Sequence, residues 1–184
     1  PYTTLFRSHH RCVPKKVTWN AAAIAETIHE AKAYGFSVEQ TAPFNWGAFK
    51  TKRDAYIKRL NGIYARNLDN DKVEHIHGYA TVTGKNEAVV KLNDGTEATI
   101  RAKKILLAVG GHPIIPQDVP GAEHGTDSDG FFDIETQPKK VALVGAGYIA
   151  IEFAGMFNAL GTETHLFIRH DKFLRTFEDR KSVV

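Results

Sequence analysis

One stretch of this chain has the residue types and spacing to hold a dinucleotide. Val144-Gly145-Ala146-Gly147-Tyr148-Ile149-Ala150-Ile151-Glu152 follows the apolar run Val141-Ala142-Leu143 and leads into an amphipathic segment, the order that a phosphate-binding strand-turn-helix requires. In that reading Gly145 allows the tight turn, Gly147 lets the backbone approach a pyrophosphate, and Ala150 keeps the helix close to its strand. Free N–H groups at the helix start would face the anion. A second apolar strand, Thr164-His165-Leu166-Phe167-Ile168, ends at Arg169, about 20 residues beyond the glycines, where the ribose is read. An acid there would select NAD. Arg169, with Arg175 following, instead suits a 2′-phosphate, which a guanidinium grips with paired charge-assisted hydrogen bonds.

A second candidate is Cys12-Val13-Pro14-Lys15-Lys16, which leads into a helical pattern and holds the single cysteine of the chain. A thiol near a helix start with two lysines close by is favoured as thiolate, the reactive form. Taken alone, a lone cysteine is more often a small buried residue. Lys15 and Glu152, each seen alone, read as solvated surface charges.

The elements that must position these residues can be traced by periodicity. Asn20 is expected to cap a helix over residues 21–34 with Ile24, Ile28 and Ala31 on one face and Gly35 as the stop. Phe44-Asn45-Trp46 introduces a longer helix whose apolar face carries Phe49, Tyr56, Ile57, Leu60, Ile63 and Tyr64. Residues 73–77, 79–83, 88–92 and 97–100 alternate as short strands, the last two joined by Asn93-Asp94-Gly95, giving an antiparallel meander. Residues 104–109 read as a buried strand that emerges through Gly110-Gly111 and several prolines into a linker.

At 184 residues and 42% hydrophobic, the chain is of ordinary globular composition. No apolar run approaches the roughly 18 residues that cross a bilayer, so a soluble cytoplasmic protein is expected, with mitochondria as a further location. The net charge of +3 comes from 24 basic and 21 acidic residues scattered without a basic run, which argues against nucleic acid. His75-x-His77 fits alternate positions of an exposed strand face, and no metal site is expected. Residues 1–8 and 179–184 resemble translated sequencing adapters. They are set aside as tails, and the chain between them is expected to be an internal fragment.

The two chemistry-bearing stretches together resemble the flavin-dependent pyridine-nucleotide disulfide oxidoreductases. Cys-Val-Pro-Lys-Lys-Val-x-Trp-Asn from Cys12, Tyr34-Gly35-Phe36, Lys52-Arg53-Asp54-Ala55-Tyr56, Leu60-Asn61-x-Ile63-Tyr64, Ser128-Asp129-Gly130-Phe131-Phe132 and Ile168-Arg169-His170-Asp171-Lys172 read most like the branch that reduces glutathione disulfide. The resemblance implies an α/β fold of two dinucleotide-binding domains, FAD/NAD(P)-binding and Rossmann-like, both incomplete. Residues 9–110 would belong to the FAD-binding domain with its meander, and residues 111–178 to the NADPH-binding βαβ domain.

By that resemblance Cys12 is the flavin-proximal member of a redox disulfide, Lys15 the lysine beside the flavin, and Glu152 its ion-pair partner. Tyr148 is the aromatic lid over the nicotinamide, Tyr64 a contact for glutathione, and Arg169 and Arg175 the 2′-phosphate clamp of NADPH. Ala108-Val109-Gly110-Gly111 is the second flavin-contacting motif, with small Ala108, Gly110 and Gly111 admitting the cofactor. Implied with them are FAD and NADPH as cofactors, glutathione disulfide as substrate, and a homodimeric full-length parent. The chain departs from the pattern at the other redox cysteine, whose place is held by Arg7, and at His9-His10-Arg11, which replaces small residues. With one thiol, the chain as it stands is expected to be inactive. A large thioredoxin or trypanothione reductase, or a non-catalytic nucleotide-binding module, are the alternatives.

Overall fold

The computed structural model describes residues 7–116 and 118–175; most of the two tail segments lies outside the described residues. The elements, in order, are helix α1 (Arg7–Glu30), a 3₁₀ turn (Ala31–Tyr34), helix α2 (Trp46–Asn70), strands β1 (Gly78–Gly84), β2 (Glu87–Leu92) and β3 (Glu97–Arg101), two 3₁₀ turns (Ala122–His124 and Gly130–Asp133), strand β4 (Lys140–Val144), helix α3 (Tyr148–Ala159) and strand β5 (Glu163–Phe167). They fall into two compact units. One comprises the described residues up to Val13 with Ala55–Asp129, and the other Pro14–Asp54 with the residues from Gly130 onward.

The first unit is built on the meander, an antiparallel sheet in the order β1-β2-β3. Asn93-Asp94-Gly95 makes the second turn as expected: Leu92 N–H donates to Thr96 O, and the Asp94 carboxylate accepts from both the backbone and the hydroxyl of Thr96. Two expected strands are absent. Residues 73–77 and 104–109 make no ladder, and the latter run is exposed, with Leu106 90% and Leu107 69% accessible. Their sequences have strand character, but a strand needs a neighbour for its N–H and C=O groups, and neither segment has one among the described residues. His75 and His77 accordingly do not alternate on a sheet face; their rings meet edge-on at 5.2 Å, with Asp69 3.8 Å from His75 Nδ1.

The second unit holds the parallel pair β4-β5, joined through α3 in one βαβ crossover, in register from Lys140↔Glu163 to Val144↔Phe167. The buried stripe of α3 is Phe153, Met156, Phe157 and Leu160, the spacing of one helical face. It meets an aromatic cluster. Phe131 stacks on Phe153 at 4.1 Å, and Trp46 stacks on Phe157 at 5.8 Å with an interplanar angle of 1°. Phe132, Ala22, Val141 and Leu143 complete this core.

Helix α1 differs from its expectation in start and in face. It runs through Asn20, which caps nothing, and begins at Arg7. From Cys12 onward its buried positions are Pro14, Thr18 and Ala22, one residue per turn, while Ile24 is 61% exposed. Small residues allow close packing here, so a search for large apolar side chains picks the wrong face. The Thr18 hydroxyl is satisfied internally, donating to Pro14 O at 2.8 Å. Gly35 ends the following 3₁₀ turn as expected, its N–H bonded to Lys32 O.

Helix α2 starts where expected: the Asn45 side chain accepts from Ala48 N–H at 3.0 Å, an N-cap. Of its expected apolar face Ile57 is buried, whereas Tyr56 and Tyr64 are each 41% exposed. Two buried residues went unforeseen. Trp46 Nε1 donates to Ile134 O at 2.8 Å, and Arg53, 3% exposed, donates to Phe132 O at 2.6 Å and lies over the Phe132 ring. Arg53 also pairs with Asp54 at 2.8 Å, and Lys50 with Asp54 at 2.7 Å. Among the described residues no helix is long and apolar enough to cross a membrane.

Burial pushes the Asp54 carboxyl upward, but hydrogen bonds from Lys50 and Arg53 outweigh it and hold it below the ordinary carboxylate value. The bond to Asp54 correspondingly raises Lys50. Asp54 therefore adds stability that is complete above the unfolded carboxylate value of about 4 and is lost as pH falls through its lowered folded value. Lys50 adds stability that is complete below about 10.4 and is lost as pH rises through its raised one. Asp54→Asn should lower the melting temperature near neutral pH by about 2–4 °C, the effect of a loss of about 1 kcal/mol from a partly exposed pair, and should flatten the acid side of the profile. Melting curves from pH 3 to 8 check both; an unchanged acid limb would remove Asp54 from the account.

Candidate dinucleotide and redox site

The turn between β4 and α3 has the geometry its sequence requires. Gly145 adopts φ +147°, a conformation L side chains rarely take, and a Cβ built on it would lie 3.5 Å from the Ala150 Cβ. Gly145 and Ala150 therefore share one close approach of turn to helix. Gly147 is the N-cap of α3, makes no side-chain cap, and has no atom within 4 Å of where a Cβ would stand. The first N–H groups of a helix lack intrahelical acceptors. Here the space beside Gly147, at the positive end of the helix dipole, is open.

Along the same helix Tyr148 and Glu152 lie one turn apart on one face, outside the buried stripe. Both meet Lys15 of α1. Lys15 Nζ is 2.6 Å from Glu152 Oε2 and 5.2 Å from the centre of the Tyr148 ring. The ion pair expected between the Cys-x-x-Lys stretch and the dinucleotide turn is thus formed. Its side chains are 25% and 35% exposed, so solvent still reaches both, while Tyr148 is 51% exposed.

Arg169 follows the C-terminal end of β5, and Arg175 lies further along the loop; both are exposed, and neither makes an ion pair among the described residues. Both guanidinium groups thus stand beyond the second strand of the βαβ unit. The remaining candidates belong to the first unit. Cys12 is exposed and lies in the second turn of α1, not at its start, where the field of a helix terminus has largely fallen off. Tyr64 is half exposed on α2. Ala108, Gly110 and Gly111 are exposed in a segment without regular structure, with Gly110 at φ +66° and open space where a Cβ would stand on either glycine.

A βαβ unit with an uncapped glycine turn, whose helix is joined by an ion pair to Lys15 of α1, is the local architecture of a dinucleotide-binding fold. The chain belongs to the pyridine nucleotide-disulphide oxidoreductase family, whose model matches residues 6–183, and its fold is of the FAD/NAD(P)-binding, Rossmann-like α/β class. It is 56% identical over 171 residues to a glutathione reductase of Schizosaccharomyces pombe, an alignment covering 92% of this chain and 37% of that protein. It is 53% identical over 176 residues to a glutathione reductase of Yarrowia lipolytica, covering 91% and 37%, and 48% identical over 189 residues to one of Debaryomyces hansenii, covering 91% and 38%. The chain thus spans little more than a third of the length of the curated relatives it matches.

The Lys15–Glu152 pair can be measured directly. A double-mutant cycle of Lys15→Ala and Glu152→Ala in urea unfolding should show a coupling of about 0.5–1 kcal/mol, the range for a partly exposed pair. Additive single effects would mean that the two charges are held by separate contacts.

Proposed function

We propose that this chain is the part of an NADPH-dependent glutathione-disulfide reductase that carries the flavin-proximal cysteine and the nucleotide turn. Electrons would pass from NADPH through FAD and a redox-active cysteine pair to oxidised glutathione. The observation that carries this reading is the Lys15–Glu152 ion pair, since it joins the residue three positions after Cys12 to the helix that starts at the dinucleotide turn. The identity to proteins named glutathione reductase supports the substrate. The reading extends to a homodimeric full-length protein working in the cytoplasm or mitochondria.

The roles follow from the chemistry of each group. When bound, FAD and NADPH would supply the hydride and electron transfer that no side chain can perform. Arg169 and Arg175 would hold the 2′-phosphate of the nucleotide, and the N–H groups after Gly147 its pyrophosphate. Tyr148 would cover the nicotinamide pocket. Lys15, held by Glu152, would place positive charge beside the flavin, where negative charge develops on reduction. Ala108, Gly110 and Gly111 would admit the flavin close to the backbone. Cys12 as thiolate would attack or release the partner sulfur in thiol–disulfide exchange, with Tyr64 contacting the glutathione. The division of labour proposed along the chain is FAD to residues 9–110 and NADPH to residues 111–178.

Two assays test this. The 184-residue chain contains one cysteine, and a disulfide relay needs two neighbouring thiols; it should not consume NADPH with glutathione disulfide, whereas the full-length protein should, and Cys12→Ser in the latter should abolish turnover. Steady turnover by the 184-residue chain, abolished by Cys12→Ser, would show the inference from the cysteine count to be wrong. In nucleotide titrations of the full-length protein, Arg169→Ala should weaken NADPH binding about 10- to 100-fold, the worth of one charge-assisted hydrogen bond. NADH, which has no phosphate to lose there, should be nearly unchanged. Equal losses for both nucleotides would show that Arg169 supports the fold.

A further inference from the structure

The loop that carries the two arginines is fastened to the glycine turn at two consecutive residues. Gly145 N–H donates to Phe167 O at 2.9 Å, and Leu174 N–H donates to Ala146 O at 2.8 Å. Between these bonds residues 168–173 leave the end of β5 and return, so Arg169 lies inside a closed excursion and Arg175 immediately after its closure. The closing residue is strained. Leu174 has φ +53°, and only one other non-glycine residue among those described, Lys72, has positive φ. A left-handed conformation at a bulky side chain persists only where the surroundings impose it, and such positions concentrate at functional sites.

The geometry points to Leu174 as a positioning residue for nucleotide selection: by donating to Ala146 O in a left-handed conformation, it fixes the 2′-phosphate arm at Arg175 to the turn that holds the pyrophosphate. The inference rests on the NADPH reading above and deepens it. The pyrophosphate and the 2′-phosphate sit at a fixed spacing on one ligand. A protein that reads both must hold its two binding elements at that spacing before the ligand arrives, or use binding energy to order the loop. Ala146 is the middle residue of Gly-Ala-Gly, where the glycine rule places no demand on the side chain; its carbonyl is what the loop uses.

The test is a titration of NADPH and NADH, followed by fluorescence quenching, on the full-length protein and three variants. Leu174→Pro removes the N–H and fixes φ near −65°. Leu174→Val keeps the N–H but disfavours positive φ more strongly, and Leu174→Gly keeps the donor and adopts φ +53° freely. Leu174→Pro should lose about tenfold in NADPH affinity, equivalent to misplacing one charge-assisted bond, with NADH within about twofold, and Leu174→Val should lose about threefold in the same selective way. Leu174→Gly should stay within about twofold of the parent for both nucleotides. If Leu174→Pro does not fold, Leu174→Val at an unchanged melting temperature decides. Equal losses for NADPH and NADH, or no loss in Leu174→Val, would overturn the proposal. Arg169→Ala and Arg175→Ala in the same titrations separate the two layers: without selective NADPH loss there, the phosphate reading itself fails, whereas selective loss there with none in Leu174→Val overturns the positioning role alone.

Discussion

The rotation of α3 about its own axis decides what the second unit can offer a ligand. Phe153, Met156, Phe157 and Leu160 must face the aromatic cluster, and Ala150 must lie against Gly145. With about 100° between successive residues, those two demands leave no freedom. Tyr148 and Glu152 are turned roughly a third of a circle away from the buried stripe, toward Lys15. The uncapped N–H groups at Gly147 then point along an axis already set by packing. The ion pair and the direction of the open helix start are consequences of one apolar interface, and a change in its shape would shift both together.

The cluster is itself held by polar contacts at its edge. A 3₁₀ turn leaves carbonyls without internal partners, and in the turn Gly130–Asp133 Phe131 and Phe132 are buried and Ile134 beyond it is half-buried. Arg53 takes Phe132 O and Trp46 takes Ile134 O. Each buried donor is thereby satisfied and the segment leading to β4 is fixed. At the other end of the unit, the Thr162 hydroxyl donates to Pro138 O and accepts from Gln137, which also binds Leu160 O, tying the exit of α3 to the approach to β4. The strand that carries the glycine turn is thus anchored before it begins.

Legibility in the sequence followed the range of the interactions involved. The βαβ unit, with Gly145, Gly147, Ala150 and the second strand, was readable because its pattern is local and each residue has one physical reason to be there. The start of α2 at Phe44-Asn45-Trp46 was readable for the same reason. The buried face of α1 was not, because Pro14, Thr18 and Ala22 are chosen for closeness rather than for apolar area. Arg53 was not, because an arginine is buried only when distant groups, here the Phe132 carbonyl and ring, supply its partners. Residues 73–77 and 104–109 were read as strands from intrinsic preference, and preference does not form a strand without a neighbour. The two-point fastening of the arginine loop involves backbone atoms alone and left no trace in residue types beyond a leucine.

The unpaired run at residues 104–109 also bears on how the chain behaves in bulk. Ile105, Leu106, Leu107 and Val109 are exposed side by side with their backbone groups free of any ladder among the described residues. An apolar run with unpaired N–H and C=O groups can pair with the same run of another molecule. Lys103 and Lys104 stand at one end as charged gatekeepers, while Gly110 and Gly111 guard the other only by flexibility. Exposed apolar side chains beside unpaired backbone groups favour association between copies as concentration rises.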